Sequence, residues 1–135
     1  MAEKINTESM VRAVGRRKTA AARVRLQKGK GVIVINGKPL SEYFPIAFWQ
    51  EKVLAPLTIL GREKDMDISI KVVGGGVNSQ AEAIRHGISR CLVAWNEESK
   101  PVLRAEGFMT RDPRSRERKK PGFRRARRGH QWRKR

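Results

Sequence analysis

DISIKVVGGGVNSQAEAIRHGISRCLVAW, residues 67–95, is the stretch on which the fold turns. Ile68, Ile70 and Val72 alternate with Ser69 and Lys71, the period-2 pattern of a strand with one face buried. Gly74, Gly75 and Gly76 interrupt it. Beyond them Ala81, Ile84, Ile88, Cys91 and Trp95 recur at intervals of three and four, and Leu92 widens the stripe, so a long amphipathic helix is predicted. Arg85, His86, Ser89 and Arg90 lie off that stripe. Ser79 and Glu82 have the S-x-x-E spacing of a capping box, which predicts that the helix begins there. A strand that turns directly into a helix with one apolar face calls for a layer of helix packed on sheet.

Upstream, Ala22, Val24 and Leu26 alternate with Arg23, Arg25 and Gln27, a second strand. Val32–Ile35 is a β-branched run, and Lys28–Gly31 between them reads as a hairpin loop. Asn36-Gly37 ends that run with a turn. Short helices are predicted around Leu40–Phe44 and Phe48–Leu54, the second stopping before Pro56, and another near Pro101–Ala105, ended by Gly107. The expected class is α+β, a mostly antiparallel sheet with packed helices followed by a long extended basic C-terminal tail. Its expected organisation is a flexible N-terminus over 1–10, a body over 11–110 and the tail over 111–135.

Charge narrows the function. The 135 residues carry a formal charge of +18, from 31 basic and 13 acidic side chains. Like charges on a small body repel, so this excess implies a polyanionic partner. Residues 111–135 alone hold 13 Lys or Arg against Asp112 and Glu117. Their few apolar residues bury too little to offset an ordering cost of about 1–2 kcal/mol per residue. The tail is therefore expected to be disordered alone and ordered on its partner. Phe123 and Trp132 stand among its arginines, a pattern suited to stacking on unpaired bases while guanidinium groups meet phosphates. A second basic cluster runs through Arg12, Arg16, Arg17, Lys18, Arg23, Arg25, Lys28 and Lys30 with no acidic residue between them, and phosphate contact is the favoured reading there.

Other chemistries lack their residues. Cys91 is the only cysteine and His86 and His130 the only histidines, so no zinc-type spacing exists and no metal or cofactor is expected. Cys91 sits on the apolar stripe as core filler, and His86 on the polar side. Asp65 and Asp67 read as a solvated turn. Gly74, Gly75 and Gly76 allow either a tight strand-to-helix turn or a cradle for a phosphate at a helix N-terminus. They lack the Lys and the spacing of a Walker loop. No apolar run approaches the roughly 20 residues of a membrane span, and residues 1–10 lack the apolar core of a secretory signal, so a cytoplasmic location is expected.

Taken together the motifs resemble a known family. VGRRKTA (14–20), INGK (35–38), Tyr43-Phe44, the GGGxxSQxxA element from Gly74 to Ala83, and Gly87, Ser89 and Arg90 occur in order. Leu103-Arg104, TRDPR (110–114), ERKK (117–120), Ala126-Arg127-Arg128, Gln131 and Lys134-Arg135 follow. The chain resembles the small-subunit ribosomal protein nine family of the bacterial type, from about Val11 to its last residue. The resemblance implies a body like the second domain of ribosomal protein five and a non-enzymatic, structural role in translation. The implied partners are small-subunit ribosomal RNA in the head, neighbouring head proteins and peptidyl-site tRNA, with no membrane. Carried over by position, Arg16, Arg17, Lys18, Arg23, Arg25, Gly74, Gly75, Gly76, Lys119, Lys120, Arg124, Arg125, Arg127 and Arg128 would hold ribosomal RNA. Arg133, Lys134 and Arg135 would approach the tRNA anticodon stem-loop.

Two other classes stand beside this one. A small-molecule kinase of related fold would use the glycine loop, but no carboxylate–metal constellation accompanies it. A general DNA-compacting protein would share the charge; its place in purified ribosomal subunits separates the two.

Overall fold

The computed structural model describes residues 10–131. Trp132 and the three positions expected to approach tRNA, Arg133, Lys134 and Arg135, lie outside the described residues, as does the N-terminal segment 1–9. In chain order the elements are β1 (Val11–Arg17), β2 (Ala20–Lys28), β3 (Ile33–Ile35), β4 (Lys38–Pro39), α1 (Leu40–Tyr43), α2 (Ala47–Leu60) and β5 (Met66–Val73). Then come α3 (Val77–Trp95), a 3-10 turn (Glu97–Ser99) and α4 (Lys100–Ala105).

The five strands form one sheet in the order β1-β2-β5-β3-β4. β5 pairs antiparallel with β2 and parallel with β3, so the sheet is mixed. This corrects the hairpin expected over Lys28–Gly31: β2 and β3 do not pair, because β5 lies between them. The reason is local. The Asp67 Oδ1 accepts the backbone N–H groups of Lys30, Gly31 and Val32 at 2.9–3.0 Å. The Gly29 N–H donates to the Asp65 carbonyl at 2.8 Å. The loop is wrapped over the start of β5 instead of folding back on β2. Asp67 is therefore a loop anchor and not part of a solvated turn. Burial alone would raise its carboxyl pKa, but the three N–H donors and the charge of Lys30 hold it below its usual value.

Asn36 and Gly37 form the expected two-residue turn between β3 and β4, with φ of 51° and 82°. The Asn36 side chain does a second task. It donates to the Val72 carbonyl at 2.9 Å and accepts the Val72 N–H at 3.0 Å, continuing the parallel ladder past the end of β3.

The core lies between the sheet and the helices on one of its faces. Val24, Leu26, Ile35, Ile68, Ile70 and Val72 from the strands meet Ala83, Ile84, Ile88, Cys91 and Leu92 from α3, with Phe44, Val53, Leu57 and Leu103 closing its edges. Burial pushes the Cys91 thiol up to about 12, as a core residue requires. The predicted stripe of α3 is this buried face, and Ser89 joins it, its hydroxyl donating to the Arg85 carbonyl at 2.8 Å.

Two local expectations are corrected, and one strand is added. Helix α3 starts at Val77 with Gly76 as its N-cap and no capping box: Ser79 is buried inside the first turn and Glu82 faces sideways. Helix α2 runs through Pro56 to Leu60, where Gly61 at φ 67° ends it. Proline has no N–H to offer the Lys52 carbonyl, but Pro56 is itself buried with Val53 and Leu57 on the core side, and that packing carries the helix across it. Finally, β1 is a full strand although its inward positions, Val11, Ala13, Gly15 and Arg17, give too weak an apolar alternation to announce one.

Candidate nucleic-acid interface

Pleat and pairing decide which cations share a surface. Residues opposite one another across a sheet lie on the same face. Arg12 is opposite Arg25, which is opposite Ser69, which pairs with Val34. Val14, Arg23 and Lys71 make the next row, and Arg16, Ala21 and Val73 the third. These are the positions away from α3. Arg12, Arg16, Arg23, Arg25 and Lys71 therefore stand on one face, all exposed. Asp67 is the only carboxylate in these strands on that side, and the loop donors already occupy it. Arg12 directly across from Arg25 is a like-charge pair, unfavourable unless an anion lies over both.

Arg17 is different. It has the parity of Gly15 and Ala13 and points toward α3, where it is only 7% exposed. Its Nε donates to Glu82 Oε2 at 2.5 Å and its Nη1 to the Arg114 carbonyl at 2.7 Å, with Asp112 Oδ1 at 3.2 Å. Lys52 Nζ reaches the other Glu82 oxygen at 3.0 Å. Burial works to raise the Glu82 pKa, but the hydrogen bonds and charges of Arg17 and Lys52 outweigh it and hold the carboxyl below its usual value. Arg16 and Arg17, adjacent in sequence and grouped together in the sequence reading, thus face opposite sides of the sheet. Arg17 clasps the root of the tail to the body and is not on the open cationic face.

Lys18 and Thr19 form the turn between β1 and β2, with Lys18 exposed at φ 53°. The glycine loop lies against this turn. A Cβ on Gly74 would come 2.6 Å from the Thr19 carbonyl oxygen, and one on Gly75 3.0 Å from the Ala20 Cβ; both glycines have positive φ. The tight-turn reading thus accounts for Gly74 and Gly75. Gly76 has open space around it and exposes the first turn of α3. The structure brings Lys18 and Gly76 to one end of the sheet.

In the tail, Lys119, Arg124, Arg125 and Arg128 are exposed. Lys120 and Arg127 both reach Glu117, at 2.6 and 3.0 Å. Phe123, 40% exposed, bridges to Gly129, and the Arg124 N–H donates to the Arg128 carbonyl at 2.8 Å. Sequence reasoning assigned no contact to Lys71, although its place on the polar side of an alternating strand marked it.

A family described as Ribosomal protein S9/S16 matches residues 15–135. The chain belongs to this family. Its relatives include the small ribosomal subunit protein uS9 of Bacteroides fragilis, 52% identical over 126 residues that cover 93% of this chain and 98% of that protein. The uS9 of Lawsonia intracellularis is 52% identical over 123 residues, 91% of this chain and 95% of its own. The S9 family is structural and non-enzymatic, a component of the small ribosomal subunit. Its membership explains an open sheet face crowded with cations and without a catalytic constellation.

Proposed function

We propose that this chain is held on small-subunit ribosomal RNA in the head of cytoplasmic ribosomes, and that its tail approaches the anticodon stem-loop of peptidyl-site tRNA. The single observation that carries the reading is the set of five exposed cations, Arg12, Arg16, Arg23, Arg25 and Lys71, on a helix-free sheet face. Guanidinium and ammonium groups on a sheet fix the register of a polynucleotide through its phosphates. Lys18 with Gly76 at the sheet end, and Lys119, Lys120, Arg124, Arg125, Arg127 and Arg128 in the tail, are the further phosphate contacts of this reading. Arg133, Lys134 and Arg135 at the tip are the residues assigned to tRNA. No described helix is long and apolar enough to cross a membrane.

Co-sedimentation with small subunits through a high-salt gradient tests the placement. The expected result is equimolar recovery with the subunit; recovery only in the soluble fraction would remove the proposal. For binding to isolated ribosomal RNA, about eight neutralised phosphates predict a slope of log K against log salt of roughly −6 to −7. Deleting residues 133–135 is expected to leave assembly intact while weakening peptidyl-site tRNA retention; loss of assembly would show the tip to be misassigned.

A further inference from the structure

Two hollows adjoin at the β1 edge beside α3 and share Arg16, His86 and Arg111. The first is also lined by Arg17, Glu82, Arg85 and Asp112, and its two carboxylates are taken up by Arg17. The second, about 260 Å³, is lined by Val14, Arg16, His86, Arg90 and Arg111, with no acidic side chain among them. Its three cations come from three parts of the chain: Arg16 from β1, Arg90 from α3 and Arg111 from the root of the tail. Arg90 is fixed in place by its Nη1, which donates to the Val14 carbonyl at 2.6 Å. His86, one turn before Arg90 on the same side of the helix, has a buried Nδ1 with no hydrogen-bond partner among the described residues. Burial first, then the positive field of Arg90, lowers the His86 pKa, and Arg111 and Arg85 add to this; the Met109 backbone works the other way without cancelling it.

A surface arginine usually finds a carboxylate or spreads into water. Here three converge on one hollow while the nearby acids, Glu82 and Asp112, are already bonded to Arg17 and Arg114. We propose that this hollow is a phosphate-binding notch, in which Arg16, Arg90 and Arg111 grip a single backbone phosphate of RNA beside the His86 imidazole. Planar guanidinium groups suit phosphate oxygens bidentately. The site lies at the edge of the sheet, beside the open face, and none of His86, Arg90 and Arg111 was assigned a contact in the family-based reading. That the phosphate belongs to RNA rests on the ribosomal reading above; the notch itself rests on the hollow.

The test follows the imidazole resonances of the two histidines in the chain, assigned by comparison with His130→Gln. Inorganic phosphate is titrated against potassium chloride at matched ionic strength. The expected result is a saturable shift of the His86 signals in phosphate but not in chloride, retained when the tail cations around His130 are neutralised by Arg124→Gln and Arg128→Gln. The affinity should weaken at least tenfold in Arg111→Ala and in Arg90→Gln. Arg111→Ala guards against misfolding, because Arg90 also bonds the β1 backbone. A short RNA duplex should move the His86 signals in the same direction. Equal shifts in chloride, or shifts indifferent to Arg111→Ala, would overturn the notch. A phosphate response with no RNA response would overturn its assignment to an RNA backbone. A failed titration alongside intact co-sedimentation would remove the notch and leave the ribosomal reading standing.

Discussion

Gly15 of β1 and Gly87 of α3 lie backbone against backbone. A Cβ at Gly15 would fall inside the van der Waals envelope of the Ala83 carbonyl oxygen and the Gly87 amide. One at Gly87 would come 2.6 Å from Val24 Cγ2 and 3.2 Å from the Gly15 nitrogen. Neither strand nor helix backbone has a side chain's freedom to move aside, so the contact sets how closely the helix layer sits on the sheet. Gly15→Ala is expected to destabilise the body by about 3 kcal/mol, the upper part of the range for overpacked cores. Urea unfolding checks this: the midpoint should fall with the slope unchanged. A midpoint within error of the parent would mean that the layers are not this close.

Glu82 links stability to pH. Its folded pKa lies below the usual glutamate value of about 4.3, so it contributes stability that is fully present above that value. The contribution is lost as pH falls through the folded pKa. Glu82→Gln leaves Arg17 and Lys52 short of a charge partner at a partly buried site, at a cost of about 2 kcal/mol near pH 7. Thermal unfolding from pH 7 to pH 3 should show the gap between variant and parent closing as the parent loses its own carboxylate. A gap that stays constant with pH would rule this out.

The Cys91 thiol, buried and pushed up to about 12, should be inert to thiol reagents in the folded protein at pH 8. Rapid labelling is expected only in denaturant. Labelling in native buffer faster than global unfolding would place Cys91 outside the core.

The opposite facing of Arg16 and Arg17 gives a paired prediction. Arg25→Ala or Lys71→Ala on the open face should reduce the salt slope of RNA binding by about 0.7–0.9 each and leave stability nearly unchanged. Arg17→Gln should do the reverse, because its guanidinium holds Glu82 and the Asp112–Arg114 segment. Binding isotherms at four salt concentrations, beside denaturation curves, separate the two patterns.

Much of this architecture was legible where the physics is local. The stripe of α3, the alternation of β2 and β5, and the Asn36-Gly37 turn all follow from contacts within a few residues. What was not legible depends on partners distant in sequence. The Lys28–Gly31 loop looks like a hairpin until Asp67 arrives to bind it. Pro56 looks like a stop until its burial against the core is known. Glu82 has capping-box spacing, but Arg17 and Lys52 offer it stronger, charged donors. The cationic cluster was plain in the sequence; its division into an outward set and an inward Arg17 required the register of β1. The arginines at the β1 edge were hidden for the same reason, since Arg16, Arg90 and Arg111 meet only after β1, α3 and the tail root are assembled.

The central place of β5 has a consequence for synthesis. Its two neighbours, β2 and β3, leave the exit tunnel first but have no ladder to share, so both wait as open edges until residues 66–73 follow. During that interval the arginine-rich β1–β2 pair is exposed with its apolar side uncovered, since α3 emerges later still. Nascent chains of this kind depend on rapid capture by chaperones or by an anionic surface.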